Sequence, residues 1–293
     1  MKKSARSLLA AAIVLVLLLG GALLLRAVFE RKLVAGMLKV HGPGSRTPAA
    51  QGLVFDELHL PSGDRTLHAF YVPAEAALAP TVLIFHGNGE AISGWVNALK
   101  ILHDDGVTAM VFDYSGFGHS TGEPTLAHFH DDALVAWRAF RNKIPPAARA
   151  CAYGLSLGTA ILLEAAPDLS PPPDCVALSG SFTTGGEIAA RYGKIPSWAS
   201  GFTSVLDNVS GVERLQAPLL IEHGSEDATF PVAFAERLHA AHPGSALVIV
   251  PGMHHGDPVA HPSEAAWAPI VRHVKGLPPL APATSAAPAA LAR

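Results

Sequence analysis

Short apolar runs recur along the middle of this 293-residue chain, at 81–85 (Thr-Val-Leu-Ile-Phe), 108–113, 149–153, 175–178, 219–222 and 247–250. None alternates apolar with polar residues. A strand that is apolar throughout has to be covered on both faces, as in a sheet sandwiched between helices. Stretches with helical periodicity separate most of the runs. Trp95, Leu99 and Leu102 recur at helical spacing, as do Leu126, Phe129, Leu134, Trp137 and Phe140. Strands that alternate with helices in this way predict a doubly wound, mostly parallel sheet. Hydrophobic residues make up 49% of the chain and charged residues 15%, enough apolar material for a core on each face of such a sheet.

Several segments fall outside this rhythm. Runs at 53–60 and 67–72 flank Pro61-Ser62-Gly63-Asp64, a turn signal, and read as a hairpin at one sheet edge. With it the sheet has about eight strands. Residues 183–212 are rich in Gly, Ser and aromatics, among them Tyr192, Trp198 and Phe202, and read as a small cap inserted after one strand. Trp198 and Phe202 either line an apolar pocket or pack the cap. The start Met1-Lys2-Lys3-Ser4-Ala5-Arg6 is basic, and 8–25 carries no charge, the minimum length for a membrane-spanning helix. We read 1–27 as an N-terminal anchor, with a cleaved secretory peptide as the alternative. Lys2, Lys3 and Arg6 favour an inside N-terminus and a domain on the extracytoplasmic side, although Arg26, Arg31, Lys32 and Lys39 compete. Residues 28–52 read as a linker, 53–277 as one domain, and the Ala/Pro-rich 278–293 as a disordered tail.

One motif stands at a strand end. Gly154-Leu155-Ser156-Leu157-Gly158 fits G-x-S-x-G, with an apolar strand before it and an Ala/Leu-rich helical run after it. A serine hydroxyl needs a general base, the base needs an orienting carboxylate, and the oxyanion of the intermediate needs donors. In an open α/β sheet these groups gather at the C-terminal ends of strands. Asp227 follows the 219–222 run, with Glu226 as its rival. His255 follows the 247–250 run, with His254 as its rival. The order Ser156, Asp227, His255 is the one this architecture uses. The loop His86-Gly87-Asn88-Gly89 follows the first parallel strand, and the N–H groups of Asn88 and Leu157 are the expected oxyanion donors.

On these residues the chain resembles the α/β-hydrolase superfamily, and more narrowly its membrane-associated serine hydrolases related to prolyl-oligopeptidase catalytic domains. The likeness runs from about Leu53 to Gly276. It rests on Phe85-His-Gly-Asn88, Phe112-Asp-Tyr-Ser-Gly-Phe-Gly-His-Ser-Thr-Gly-Glu-Pro124, Tyr153-Gly-Leu-Ser-Leu-Gly158, Leu206-Asp-Asn208, the 217–224 segment with Asp227, and Pro251-Gly-Met-His-His255. It implies an α/β-hydrolase fold with a small cap, Ser156 as nucleophile, Asp227 as acid and His255 as base, and neither metal nor organic cofactor. The implied substrate is an ester or thioester, lipid-like given the anchor; a peptidase, or a binding protein on a hydrolase fold, is the alternative.

The remaining features exclude other readings. A net charge of −3 gives no basic face for nucleic acid. The Gly87-Asn88-Gly89 loop lacks the Lys-Ser/Thr of a nucleotide-binding P-loop. The fifteen histidines are scattered without metal-site spacing, and His128 and Asp132 read as a solvated helical pair. Cys151 and Cys175 read as buried free thiols, a bridge being open only if their runs are neighbouring strands.

Overall fold

The structure, a computed structural model, describes residues 2–202 and 205–278. The tail expected to be disordered lies outside the described residues from position 279, and so does the Phe202 side chain. A single eight-stranded sheet forms the centre. Its strands are β1 (Asp56–Ser62), β2 (Arg65–Val72), β3 (Thr81–Phe85), β4 (Thr108–Phe112), β5 (Ala150–Leu155), β6 (Cys175–Ser179), β7 (Leu219–Gly224) and β8 (Ala246–Val250). The order across the sheet is β1-β2-β4-β3-β5-β6-β7-β8. β1 and β2 form an antiparallel hairpin, and β2 joins β4 antiparallel; the strands from β4 to β8 are parallel. This is an α/β-hydrolase fold.

The continuous apolar runs become the strands with two covered faces. On β3, Leu83 and Phe85 point into one core with Phe129, Trp137 and Phe140 of α3 (Leu126–Lys143) and Ile161 of α4 (Leu157–Ala165). Val82 and Ile84 point into the other core, with Leu99 of α2 (Val96–Asp104) and Trp267 and Ile270 of the helix Glu264–Val274. The strand period of two therefore feeds two separate layers from one segment.

Two expectations need correction. The helix α1 (Lys2–Met37) continues ten residues past the boundary set at position 27, so 28–37 is not linker. Arg26 pairs with Glu30 one turn on, and Leu33 and Val34 are buried against the domain, which gives the helix a reason to continue. The cysteines are not free thiols: Cys151 and Cys175 form a disulfide. They face each other across neighbouring parallel strands, with Cα atoms 4.6 Å apart, inside the span a bridge requires.

Between β6 and β7 lie α5 (Gly185–Arg191), a 3-10 turn (Ser197–Phe202) and α6 (Asn208–Arg214). Thr184 caps α5 by accepting the Glu187 N–H, and Asp207 caps α6 by accepting that of Ser210. Buried Asn208 ties this segment down, donating from Nδ2 to the Phe182 carbonyl at 2.8 Å and to Thr159 Oγ1 at 3.1 Å. Trp198 is 76% exposed.

Candidate active site

Strand β5 ends at Leu155 and α4 starts at Leu157, leaving Ser156 alone to make the turn. It does so at φ 52°, a backbone region that a residue with a side chain enters at a cost. The flanking glycines are required by space. A Cβ on Gly158 would lie 2.0 Å from the Phe85 carbonyl oxygen, and one on Gly154 would lie 2.8 Å from that of Gly158. The Ser156 N–H donates to the Ser179 carbonyl at the end of β6, at 3.0 Å, and pins the turn.

The structure brings Ser156, His255 and Asp227 together from the ends of β5, β8 and β7. The His255 ring is 3.0 Å from Ser156 Oγ through Nε2 and 2.7 Å from Asp227 Oδ2 through Nδ1. Asp227 Oδ1 accepts the N–H groups of Thr229 and Phe230, each at 2.8 Å. Burial opposes ionisation of Asp227. The hydrogen bonds from His255 and the Phe230 N–H, with the nearby charges of His255 and His223, outweigh it and hold the carboxyl below its usual range. The rivals turn elsewhere. His254 is exposed and its Nδ1 meets the Glu226 carbonyl at 3.0 Å, while the Glu226 side chain is exposed. Two glycines make room: a Cβ on Gly224 would lie 2.0 Å from the Met253 carbonyl oxygen, and one on Gly180 would lie 3.1 Å from the His255 ring.

The loop after β3 lies against the Ser156 turn, where a Cβ on Gly158 would be 2.8 Å from the His86 carbonyl oxygen. The N–H groups of Asn88 and Leu157 make no hydrogen bond to another group among the described residues, so both remain available as donors. The Gly87 N–H is taken by Glu90 Oε2 at 2.9 Å, which also accepts from Trp95 Nε1 at 3.1 Å. Burial raises the Glu90 carboxyl above its ordinary range, against the lowering pull of His86, these two hydrogen bonds and His255. Behind the loop, Tyr114 donates to the His86 carbonyl at 3.0 Å. Gly118 turns at φ 51°, where a Cβ would strike Asp113 Oδ2 at 1.9 Å. The Asp113–Ser120 motif therefore supports the loop after β3 from behind.

Two parts of the site were not legible in the sequence. The Asn88 side chain holds the end of α1: Oδ1 accepts the Lys39 N–H at 2.7 Å, and Nδ2 donates to the Met37 carbonyl at 3.0 Å. Under the Ser156 turn, Ser179 donates to fully buried Glu222 at 2.9 Å. Burial pushes the Glu222 carboxyl up to about 8, against the pull of that hydrogen bond. The only signal for it was a charged residue inside an apolar run. Two surface cavities, of about 480 and 450 Å³, are lined by none of Ser156, Asp227 and His255; they lie between α2 and the helix Glu264–Val274 and between α1 and the start of α3.

Comparison with known proteins bears on the family and the fold. Residues 77–210 match the family model described as serine aminopeptidase, S33. An uncharacterized protein of Mycobacterium tuberculosis is 31% identical over 199 residues, covering 66% of this chain and 69% of that protein. The lysophosphatidylserine lipase ABHD12 of Danio rerio is 29% identical over 178 residues, covering 55% of this chain but only 46% of that protein. Among solved structures, the Pyrococcus furiosus esterase Pf2001 superposes with a TM-score of 0.67 at 15% identity, over 82% of this chain and 99% of that one, a likeness of fold. The chain belongs to the serine aminopeptidase (S33) family of α/β hydrolases.

Proposed function

We propose that this protein is a membrane-tethered serine hydrolase that cleaves ester-like bonds of acylated, lipid-like substrates. One observation carries the reading: the unbroken hydrogen-bonded path from Ser156 Oγ through His255 to buried Asp227. His255 Nε2 takes the Ser156 proton as Oγ attacks the acyl carbonyl. The Asn88 and Leu157 amides receive the oxyanion, a role worth about 3 kcal/mol per donor. Asp227 keeps the imidazole in the tautomer with its proton on Nδ1. Collapse of the intermediate expels the alcohol, which takes the proton from His255. A water molecule activated by the same ring then releases the acid.

The lipid-like substrate draws support from the lipase and esterase relatives and from α1, whose 13–37 portion is long and apolar enough to cross a membrane. The Cys151–Cys175 bridge favours a domain on the extracytoplasmic side, because disulfides persist in oxidising compartments. The family description keeps peptide cleavage as the second reading. The test is labelling by a serine-directed phosphonate and turnover of an ester, thioester and aminoacyl-amide panel by the full chain. Wild type is labelled and turns over the esters, and Ser156→Ala does neither. Equal labelling of Ser156→Ala would refute the nucleophile, and amide turnover above ester turnover would favour the peptidase.

A further inference from the structure

The base of α1 does not simply lead into the domain; Met37 packs against the apolar cluster whose Phe230 meets the His255 ring. Residues 13–19 and 23–25 are exposed, as a bilayer-facing segment would be, but Leu33 and Val34 are buried. Leu33 packs with Ala189 of α5 and with Ile195, and Met37 packs against the same group. Met37 also packs against a second cluster, Ala160, Phe182, Ile188 and Phe230. The Phe230 ring stands edge-on to His255, 4.8 Å between centroids, and Phe182 is 5.5 Å from Phe230. Apolar contact therefore runs without interruption from the membrane helix to the catalytic ring.

The backbone that follows is held against the oxyanion loop. The Asn88 amide bonds the Met37 carbonyl and the Lys39 N–H, one residue on each side of the helix end. Gly89 lies beside it, where a Cβ would be in ordinary van der Waals contact with the Lys39 Cβ, at 3.6 Å. Further along, the Gly118 N–H donates to the His41 carbonyl at 3.0 Å. One residue, Asn88, thus offers its backbone N–H to the oxyanion and its side chain to the helix.

We infer that the base of α1 is a wall of the active site: Met37 sets acyl-chain specificity, held over the site by Asn88, and the chain it meets arrives from the bilayer along α1. This rests on the serine hydrolase reading and adds the source of the substrate. Met37 is half-buried, with apolar neighbours toward His255 and the membrane helix behind it. An acyl chain leaving the bilayer beside α1 passes Met37 before its carbonyl reaches Ser156. Asn88 acts as a positioning residue through its side chain, because moving the helix end moves the loop that presents its N–H.

The test uses the full chain in phospholipid nanodiscs, with p-nitrophenyl palmitate and p-nitrophenyl butyrate as probes and active sites titrated by phosphonate. Met37→Gln puts an amide of similar length in the path of the chain. It lowers kcat/KM for palmitate by about tenfold relative to butyrate, the scale of one lost apolar contact in a pocket. Met37→Trp narrows the path and acts in the same direction. Asn88→Ala keeps the backbone N–H and lowers kcat per titrated site on both esters; Asn88→Asp, which keeps the acceptor for Lys39, recovers part of it. A merely structural role would reduce the number of titratable sites and leave kcat per site unchanged. A palmitate-to-butyrate ratio unchanged in both Met37 variants, or an Asn88→Ala kcat equal to wild type, overturns the inference while leaving the triad standing. Turnover by Ser156→Ala, run alongside, would sink both.

Discussion

Asp227→Asn isolates the role of one proton. In the native site, Oδ1 is committed to the N–H groups of Thr229 and Phe230, and Oδ2 faces His255 Nδ1 at 2.7 Å. An asparagine has to put its oxygen where two donors already point, so its NH2 group takes the Oδ2 position. It then donates to His255 Nδ1, which must become an acceptor. The imidazole proton moves to Nε2, the nitrogen 3.0 Å from Ser156 Oγ, where it blocks acceptance of the serine proton. The size and shape of residue 227 hardly change, so folding is retained. The expected loss is about 10⁴ in kcat, or about 5.5 kcal/mol of transition-state stabilisation. The assay is p-nitrophenyl butyrate turnover per folded molecule, with thermal unfolding followed in parallel. The same variant removes a pH dependence. Because the native Asp227 carboxyl lies below its unfolded value, its stabilisation is present above the unfolded pKa and lost as pH falls through the folded one. Asp227→Asn flattens that acid limb. A variant within tenfold of wild-type kcat would refute the tautomer argument, and a large loss in Glu226→Gln instead would transfer the role.

Three further outcomes are expected. His255→Ala loses orders of magnitude in turnover, whereas His254→Ala, whose ring meets the Glu226 carbonyl, keeps most of it; the reverse result would move the base. Glu222→Gln keeps the acceptor for Ser179 and removes the titration. The native carboxyl is raised to about 8, so the folded state holds a proton that the unfolded state has released above its own pKa. Native stability is therefore full below the unfolded pKa and declines as pH rises to about 8, by at most about 5 kcal/mol. Glu222→Gln should melt like wild type at acid pH and above it in alkaline buffer, and identical melting curves at both would refute this. Gly158→Ala drives a Cβ to 2.0 Å from the Phe85 carbonyl oxygen, a backbone atom that no rotamer can move. At least about 3 kcal/mol should be lost, the upper end of overpacking costs, and an unchanged urea midpoint would disprove the clash.

The sheet, its mostly parallel character and the glycine-flanked serine turn were legible in the residue pattern. Those features are local. A strand covered on both faces must be apolar throughout, and a serine in a tight turn needs neighbours without Cβ atoms; both conditions are written in adjacent residues. The resemblance already pointed to His255 over His254 and to Asp227 over Glu226, but neighbours in a loop differ only in the direction their side chains take, and only the tertiary structure displays that direction. It alone paired Cys151 with Cys175, because pairing depends on which strands are adjacent and in what register. It carried α1 to Met37 and set the Asn88 amide on that helix end, across a separation of 51 residues. No local pattern records such a contact. It exists because the loop after β3 and the end of α1, far apart in the chain, are packed side by side.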